Sequence, residues 1–197
     1  MIAMIVISVV VDQKVQTLTS QKIEAEMKTE TNRLSSDING WMLGKAQIVE
    51  SLSALMKQGV GAEVTPEYLN QVLFTAGNEG SVSDVYVGTT EGEMIDGSLW
   101  VPGADYDPRT RPWYQAAEQS DDVVFTDAYL DMVTGKWAIS VAHSIRNDKE
   151  DLQGVLAMDI LLDTITEKIA VQQFGKTGYA MLLDAKGVIL HTKIVRY

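Results

Sequence analysis

Residues 106–114 read Tyr-Asp-Pro-Arg-Thr-Arg-Pro-Trp-Tyr, which places two arginines, two prolines and three aromatic residues within nine positions. Pro108 and Pro112 fix their own φ angles and push the residues before them towards extended conformations, so the backbone of this segment is stiff. An arginine guanidinium binds a planar carboxylate through two parallel hydrogen bonds, and tyrosine or tryptophan adds a donor from a rigid ring. We interpret this segment, the 106–114 turn, as a preformed anion-binding site. The alternative is that its arginines pair with surface acids while Trp113 and Tyr114 begin a core helix.

Helices and one hairpin are predicted on the N-terminal side of this turn. Residues 12–58 contain no proline, and their apolar residues recur at spacings of three and four, which predicts a long amphipathic helix. Coiled-coil dimerisation explains the more polar first half of its apolar stripe, and packing on a sheet explains the second half. Thr65-Pro66-Glu67 is a typical helix start. Residues 83–87 and 93–96 predict a strand pair.

Three alternating runs on the C-terminal side, at 123–131, 136–145 and 154–160, predict an antiparallel meander. In the third run Asp159 shares its side with apolar residues, so a carboxylate lies in the middle of an apolar strand. Strict alternation assigns one side of the first run to Phe125, Asp127, Tyr129 and Asp131. The second run has one side of small residues, Ala138, Ser140, Ala142 and Ser144. The space above those small residues either holds a ligand or admits the long helix.

The two ends of the chain suggest a fragment of a longer protein. A helix is predicted over 161–173 and a second hairpin over 179–191, but two strands alone are marginally stable. Residues 1–11 are a predominantly apolar run, whereas a bilayer core needs about 20 such residues. We expect this run to be the outer end of a transmembrane helix. A short buried strand or helix is the alternative.

Composition restricts the classes of partner. The net charge of −11 disfavours nucleic acid or an anionic membrane surface as the partner of the folded part. Cysteine is absent, and the two isolated histidines, His143 and His191, argue against a histidine-based zinc centre. Alternation places His143 among apolar residues, which is typical of a core histidine. We therefore expect neither a metal site nor a cofactor.

The 106–114 turn, the meander and the second hairpin together resemble the double Cache (dCache) sensor domain of bacterial methyl-accepting chemotaxis receptors. In that family a membrane-anchored long helix supports two stacked PAS-like modules, of which the membrane-distal one binds the ligand. The resemblance implies an α+β fold with a long N-terminal helix packed on a PAS-like antiparallel sheet, followed by the start of a second, truncated PAS-like module. The expected segments are a transmembrane remnant at 1–11, the long helix at 12–58, the membrane-distal ligand-binding module at 59–160, a connecting helix at 161–175 and the truncated membrane-proximal module at 176–197.

The most specific part of the resemblance is the amino-acid-binding signature of one dCache subfamily. The matching residues are Tyr106, Arg111, Pro112, Trp113, Tyr114, Tyr129, Asp131 and Asp159. The resemblance implies a non-enzymatic, extracytoplasmic sensor of a free L-amino acid or a close amine analogue, anchored in the cell (inner) membrane. It also implies a homodimer formed through the N-terminal helix, and a downstream kinase and adaptor that act on a cytoplasmic part absent from these 197 residues.

The chemistry of these side chains suits such a ligand independently. An α-amino acid is a zwitterion, so its recognition requires a fixed cation and donors for the carboxylate and fixed anions for the ammonium group. In this interpretation the carboxylate is bound by Arg111 with Tyr106 and Trp113 as further donors, the ammonium by Asp159 and Asp131, and the walls are closed by Tyr129 and Tyr114.

Each assignment has a structural alternative. Arg111 and Asp159 could form a buried ion pair that closes the fold. Asp131 could cap the turn at 134–135, and Tyr129 could be an ordinary core residue. Arg109 is expected to be a solvated or structural partner outside the site.

The function has alternatives as well. The same sensor could serve a histidine kinase or a cyclic-dinucleotide enzyme, or the chain could be a structural ectodomain without a ligand. A hydrolase that uses Asp131 and Asp159 as a carboxylate pair is disfavoured, because a nearby arginine is expected to keep both acids ionised and leave no proton donor.

Overall fold

The computed structural model describes residues 2–58, 64–76, 81–170, 180–183, 187 and 189–192. Its helices are α1 (Ile2–Leu55), α2 (Pro66–Ala76), α3 (Pro112–Glu118) and α4 (Leu162–Ala170). Its strands are β1 (Asp84–Thr89), β2 (Met94–Asp96), β3 (Val124–Phe125), β4 (Tyr129–Leu130), β5 (Trp137–Arg146), β6 (Leu152–Leu161), β7 (Met181–Leu183) and β8 (Ile189–Thr192). Short 3-10 turns lie at Met56–Gln58 and Pro108–Thr110.

The first six strands form one antiparallel sheet in the order β2-β1-β6-β5-β3, with β4 also paired to β5. The register places Asp84 of β1 and Ser140 of β5 on either side of Asp159 in β6. Partners in an antiparallel ladder point to the same face of the sheet. The acid in the middle of β6 is therefore flanked by polar side chains on both neighbouring strands.

The two faces of the sheet have different partners. The face with Val141 and Met158 packs against the second half of α1, where Val49 is fully buried. The opposite face carries the small residues, and there Ala142 packs against Trp113 at the start of α3. The space above the small residues is thus occupied by α3 and the 106–114 turn, and the long helix lies on the other side. The predicted α+β arrangement of a long helix on an antiparallel sheet is confirmed.

The long helix α1 is continuous from Ile2 to Leu55. Apolar residues of its first half are exposed by half or more of their surface, namely Val15, Leu18, Ile23 and Met27. Among the residues described, none of the helices combines the length with the apolar character required of a membrane span. His143 on β5 faces α1, and its Nδ1 lies 2.6 Å from the hydroxyl of Ser53. This contact agrees with the predicted core role of the histidine.

The strand predicted over 123–131 is instead divided into β3 and β4. Phe125 pairs with Val141 and Tyr129 with Ala138, so one extra residue is inserted between the two short strands. The hydroxyl of Thr126 accepts the amide of Ser140 at 3.0 Å and replaces a ladder bond at this bulge. The prediction that Phe125 and Tyr129 share a face is wrong, because the bulge turns Tyr129 to the face of α3.

The C-terminal elements agree in part with the prediction. Helix α4 follows β6 directly, and β7 pairs with β8 in a separate two-stranded sheet. Residues 171–179 and 184–186 lie outside the described residues, and with them the predicted end of the connecting helix and the turn of the second hairpin.

Gly88 on β1 lies directly beneath the 106–114 turn. A Cβ atom at this position would lie 2.8 Å from Cη2 of Trp113 and 2.9 Å from Cβ of Pro108. Overpacking of this kind costs about 1–3 kcal/mol. We expect Gly88→Ala to lower the midpoint of thermal unfolding, measured by circular dichroism.

Gly40→Ala is the matched control. Its Cβ would meet nothing within 4 Å and alanine favours the helix, so its midpoint should stay the same or rise. An unchanged midpoint in Gly88→Ala would contradict the close packing.

Candidate functional site

A cavity lies between the small-residue face of the sheet and the 106–114 turn. It contains about 280 Å³ of space that no atom fills, part of which is open to solvent. Its lining includes every predicted site residue except Tyr114, namely Tyr106, Arg111, Trp113, Tyr129, Asp131 and Asp159. Residues that are 53 positions apart in the sequence therefore meet around one cavity.

Asp159 is the buried anion of this cavity, with 2% of its surface exposed. Its Oδ1 accepts hydrogen bonds from the hydroxyls of Tyr86 at 2.7 Å, Ser140 at 2.6 Å and Tyr129 at 3.1 Å. Its Oδ2 is 3.2 Å from the same Tyr129 hydroxyl. Burial raises the pKa of Asp159 to about 6, although these hydroxyl donors favour the ionised form and counteract the shift.

Arg111 supplies the cation of the cavity. It lies in extended backbone between the 3-10 turn and α3, as expected for a residue that precedes a proline. Its guanidinium carbon is 5.8 Å from the ring centroid of Tyr129. Within the described residues its side chain makes no ion pair and no hydrogen bond. The alternative of an Arg111–Asp159 ion pair is therefore not found.

The neighbouring Arg109 has a structural role, as predicted. Its guanidinium forms an ion pair with Asp107 at 2.8 Å and donates to the carbonyl oxygen of Thr90 at 3.1 Å. Asp107 also accepts the backbone amide of Arg109 at 2.9 Å and so caps the 3-10 turn. These contacts hold the 106–114 turn against the β1–β2 hairpin.

Asp131 caps the following turn, which was the alternative considered for it. Its carboxylate accepts the amides of Val133 at 3.2 Å and Thr134 at 2.8 Å, together with the Thr134 hydroxyl. It is 7% exposed and still lines the cavity. A direct contact of Asp131 with a ligand stays a prediction.

The aromatic residues of the 106–114 turn occupy different layers. Trp113 lines the cavity and packs edge-on against Tyr86, with 4.9 Å between ring centroids. Tyr114 lies behind it, 1% exposed, with its hydroxyl 3.5 Å from the Thr89 carbonyl oxygen. The prediction that Tyr114 closes a wall of the cavity needs correction, because α3 turns its ring towards β1. Burial raises the pKa of Tyr106 to about 12, so its hydroxyl remains a donor at neutral pH.

Several residues of the cavity were not predicted from the sequence: Asp84, Tyr86, Asp96, Trp100, Met132 and Val133. The first three lie on β1 and β2, and they face the cavity because Asp84 pairs with Asp159 and Tyr86 with Asp96. Asp84 and Asp96 are acids within a predicted strand pair, which is typical of an ordinary hairpin and did not single them out. The cross-strand register that makes them neighbours was not available from the sequence.

The cavity is strongly acidic, since four carboxylates and one guanidinium line it. Burial, with a further contribution from Asp96, raises the pKa of Asp84 well above its usual range. Burial raises the pKa of Asp159 to about 6, so this acid is still mostly ionised at pH 7, and Arg111 is not among the main causes of the shift. Burial therefore opposes the ionisation of both Asp84 and Asp159.

Comparison with known proteins agrees with this geometry. The family model of the Cache domain, dCache_1, matches residues 13–196. The chain belongs to the dCache family. This membership confirms the family that the 106–114 turn and the meander predicted. The family does not by itself assign a role to any single residue of the cavity.

Curated relatives of this dCache domain include several methyl-accepting chemotaxis proteins. The methyl-accepting chemotaxis protein McpA of Pseudomonas putida is 32% identical over 177 residues, which cover 86% of this chain and 26% of McpA. The ligand-binding domain of the amino-acid chemoreceptor PctB of Pseudomonas aeruginosa PAO1, solved with L-Arg, has a TM-score of 0.66 at 29% identity, covering 77% of this chain and 62% of that one. The ligand-binding domain of the chemoreceptor CtaA of Pseudomonas fluorescens, solved with L-serine, has a TM-score of 0.70 at 26% identity, covering 80% and 66%. The chain spans about a quarter of the length of the curated relatives it matches.

The buried acids predict how stability depends on pH. Because burial raises the pKa of Asp84 and Asp159 above the ordinary value near 3.9, the folded state binds more protons than the unfolded state above about pH 4. The free energy of unfolding then falls as pH rises through this window. We expect the protein without added ligand to melt at a higher temperature at pH 5 than at pH 8.

The substitution Asp84→Asn should flatten this pH dependence of the melting temperature, and the exposed Asp122→Asn should not. A melting temperature that rises from pH 5 to pH 8 would contradict the burial of these charges.

Proposed function

We propose that this chain is the extracytoplasmic ligand-sensing domain of a methyl-accepting chemotaxis receptor and that its cavity binds a free L-amino acid or a close amine analogue. The observation that carries the proposal is the arrangement of Arg111 and Asp159. Both line one cavity, and within the described residues they form no ion pair with each other. Opposite charges held apart in this way suit the two ends of a zwitterion.

The carboxylate end of the ligand is assigned to the 106–114 turn. Arg111 offers a two-pronged donor, and its position between two prolines keeps the backbone in place. Tyr106 and Trp113 also line the cavity, and in this proposal they supply a hydroxyl and an indole N–H. Charge-assisted hydrogen bonds contribute about 1.5–3 kcal/mol each, so a few of them support micromolar binding after the costs of ordering and desolvation.

The ammonium end is assigned to Asp159, with Asp131 beside it. Oδ1 of Asp159 is already surrounded by three hydroxyls, which leaves Oδ2 as the oxygen with fewer donors. An ammonium group placed there provides the cation that this buried carboxylate lacks. Tyr129 fixes the geometry, since its hydroxyl contacts both carboxylate oxygens.

The ligand class is supported by the relatives, and the hydrolase alternative gains no support. The related domains of PctB and CtaA were solved with L-Arg and L-serine. A carboxylate-pair hydrolase needs both acids to face the bond that is cleaved. Asp131 instead uses both of its oxygens on the turn at Val133 and Thr134.

We further infer that the cavity is coupled to the connecting helix. Asp159 lies three residues before the first residue of α4, so a shift of β6 on binding moves the start of that helix. Helix α4 contacts α1 through Lys168, whose ammonium lies 4.8 Å from the ring centroid of Trp41. In this proposal, residues 59–160 are the membrane-distal module, 161–175 the connecting helix and 176–197 the start of the membrane-proximal module.

The membrane and partner assignments complete the proposal. In this proposal residues 1–11 belong to an inner-membrane helix, and the exposed apolar residues of α1 between Val15 and Met27 form a homodimer contact. A receptor-coupled kinase and adaptor receive the signal. The alternative is that the same sensor serves a histidine kinase or a cyclic-dinucleotide enzyme. The discovery of such a domain on the same polypeptide would support that alternative.

Substitution of Arg111 tests the carboxylate assignment. We expect Arg111→Ala to weaken amino-acid binding on the order of 100-fold or more, and Arg111→Lys to bind poorly because the two-pronged geometry is lost. Isothermal titration calorimetry with the proteinogenic L-amino acids measures this loss. Arg33→Lys, at an exposed position of α1 that does not line the cavity, is the matched control and should bind as the parent does. Equal affinity in Arg111→Ala and the parent would refute the assignment.

The pH dependence of binding tests Asp159. Since its pKa is about 6 in the free protein, it is mostly ionised at pH 7 and mostly protonated at pH 5. We expect the affinity for a neutral amino acid to be about tenfold weaker at pH 5 than at pH 7. Asp159→Asn should bind weakly at both pH values, whereas the exposed Asp122→Asn should follow the parent. If Asp159→Asn keeps the affinity of the parent protein, the ammonium group is bound by a different anion.

A further inference from the structure

Two acids of the cavity have no part in the proposed recognition of the amino-acid backbone. Asp84 and Asp96 lie on β1 and β2 and are 5% and 3% exposed. In the β1–β2 register Tyr86 pairs with Asp96, so Asp84 and Asp96 are diagonal neighbours on the cavity face. Asp84 lies beside Asp159, its pairing partner across β1 and β6, and Asp96 lies one strand further out on β2.

Each of these two carboxyl groups is anchored through one oxygen only. Oδ1 of Asp84 accepts the amides of Val85 at 2.7 Å and Ser98 at 3.1 Å. Oδ1 of Asp96 accepts the hydroxyl of Ser98 at 2.6 Å and the amide of Trp100 at 3.1 Å. These bonds fix both groups rigidly to the hairpin.

The second oxygens lack partners. Oδ2 of Asp96 is fully buried and has no hydrogen-bond partner among the described residues. Oδ2 of Asp84 likewise receives no hydrogen bond within the described parts of the chain. A native protein rarely leaves a buried carboxylate oxygen unpaired, and such an atom requires an explanation. A donor supplied by a bound ligand provides one.

The charge balance of the cavity indicates which kind of ligand group would donate hydrogen bonds to Asp84 and Asp96. A zwitterion adds no net charge, so its binding at Arg111 and Asp159 leaves the acids of β1 and β2 uncompensated. Trp100 and Tyr106, which pack edge-on with their centroids 5.1 Å apart, line the cavity beside them. Aromatic faces next to carboxylates favour an organic cation.

We propose that Asp84 and Asp96 form a second anionic subsite that binds a cationic group on the side chain of the ligand. The preferred ligands are then L-amino acids with a side-chain guanidinium or ammonium group, such as L-arginine and L-lysine. This inference rests on the proposed function, because the α-carboxylate and α-ammonium groups remain at Arg111 and Asp159. The competing explanation is structural: the two acids share one proton and bind no ligand.

Pairs of ligands that differ only in the side-chain charge test the subsite. L-Arginine is compared with L-citrulline, and L-lysine with L-norleucine, by isothermal titration calorimetry at pH 7. We expect each cationic ligand to bind at least about tenfold more tightly than its neutral counterpart. Asp96→Asn and Asp84→Asn should each remove most of this preference while they preserve the affinity for L-citrulline and L-norleucine. Asp122→Asn, in an exposed turn, should keep the preference.

Proton release gives a second readout, one that does not depend on the variants folding. Titrations in two buffers of different ionisation enthalpy count the protons released on binding. L-Arginine should release more protons than L-citrulline, because a cation beside Asp84 favours its ionised form. A purely structural pair of acids predicts equal release for the two ligands.

The outcomes separate the two levels of the proposal. If the parent protein binds neutral and cationic partners equally well, or if both variants keep the preference, the subsite is refuted and the amino-acid sensor stands. If no amino acid binds at all, the proposed function fails together with the subsite. If both variants unfold, the affinity ratios and proton counts of the parent protein decide.

Discussion

A carboxylate buried in the middle of a sheet is the constraint on which the cavity depends. Asp159 lies on β6 between β1 and β5 and is 2% exposed, so bulk water cannot solvate its charge. Hydroxyls from three different strands converge on it, supplied by Tyr86, Tyr129 and Ser140. A buried charge is tolerated only when it is hydrogen-bonded or paired. The carboxylate of Asp159 therefore requires the strand order and the position of β4 that bring these hydroxyls to it.

The two faces of the sheet have different roles because their residues differ in size. Large apolar residues on one face, such as Val141 and Met158, pack against α1 and provide most of the core. Small residues on the other face leave room for Trp113 and for a polar cavity beside it. Stability and recognition are therefore supported by opposite sides of the same strands. The cavity can carry an excess of acidic groups because the core on the far face does not depend on them.

The sequence alone predicted the elements whose signals are local. The apolar periodicity of α1, the Thr65 cap of α2 and the short turns of the meander each depend on neighbouring residues, and each was confirmed. The stiff 106–114 turn was likewise recognisable, because two prolines restrict its backbone whatever surrounds it. Residues within this turn and the isolated acid of β6 identified one wall of the cavity and its buried anion, and half of the cavity lining was predicted in all.

Register, bulges and burial were decided by the tertiary structure. One extra residue between β3 and β4 turned Tyr129 towards the cavity, and strict alternation in the sequence carried no sign of it. The pairing of β1 with β2 and β6 brought Asp84 and Asp96 to the same cavity, although their own sequence context is that of an ordinary hairpin. The local sequence pattern determines which face of a strand is apolar. Which residues become neighbours on adjacent strands depends on how all the strands of the sheet pair. Desolvation is also a property of the packed molecule, so only the folded structure shows that the acids of the cavity are buried and, within the described parts of the chain, form no ion pair.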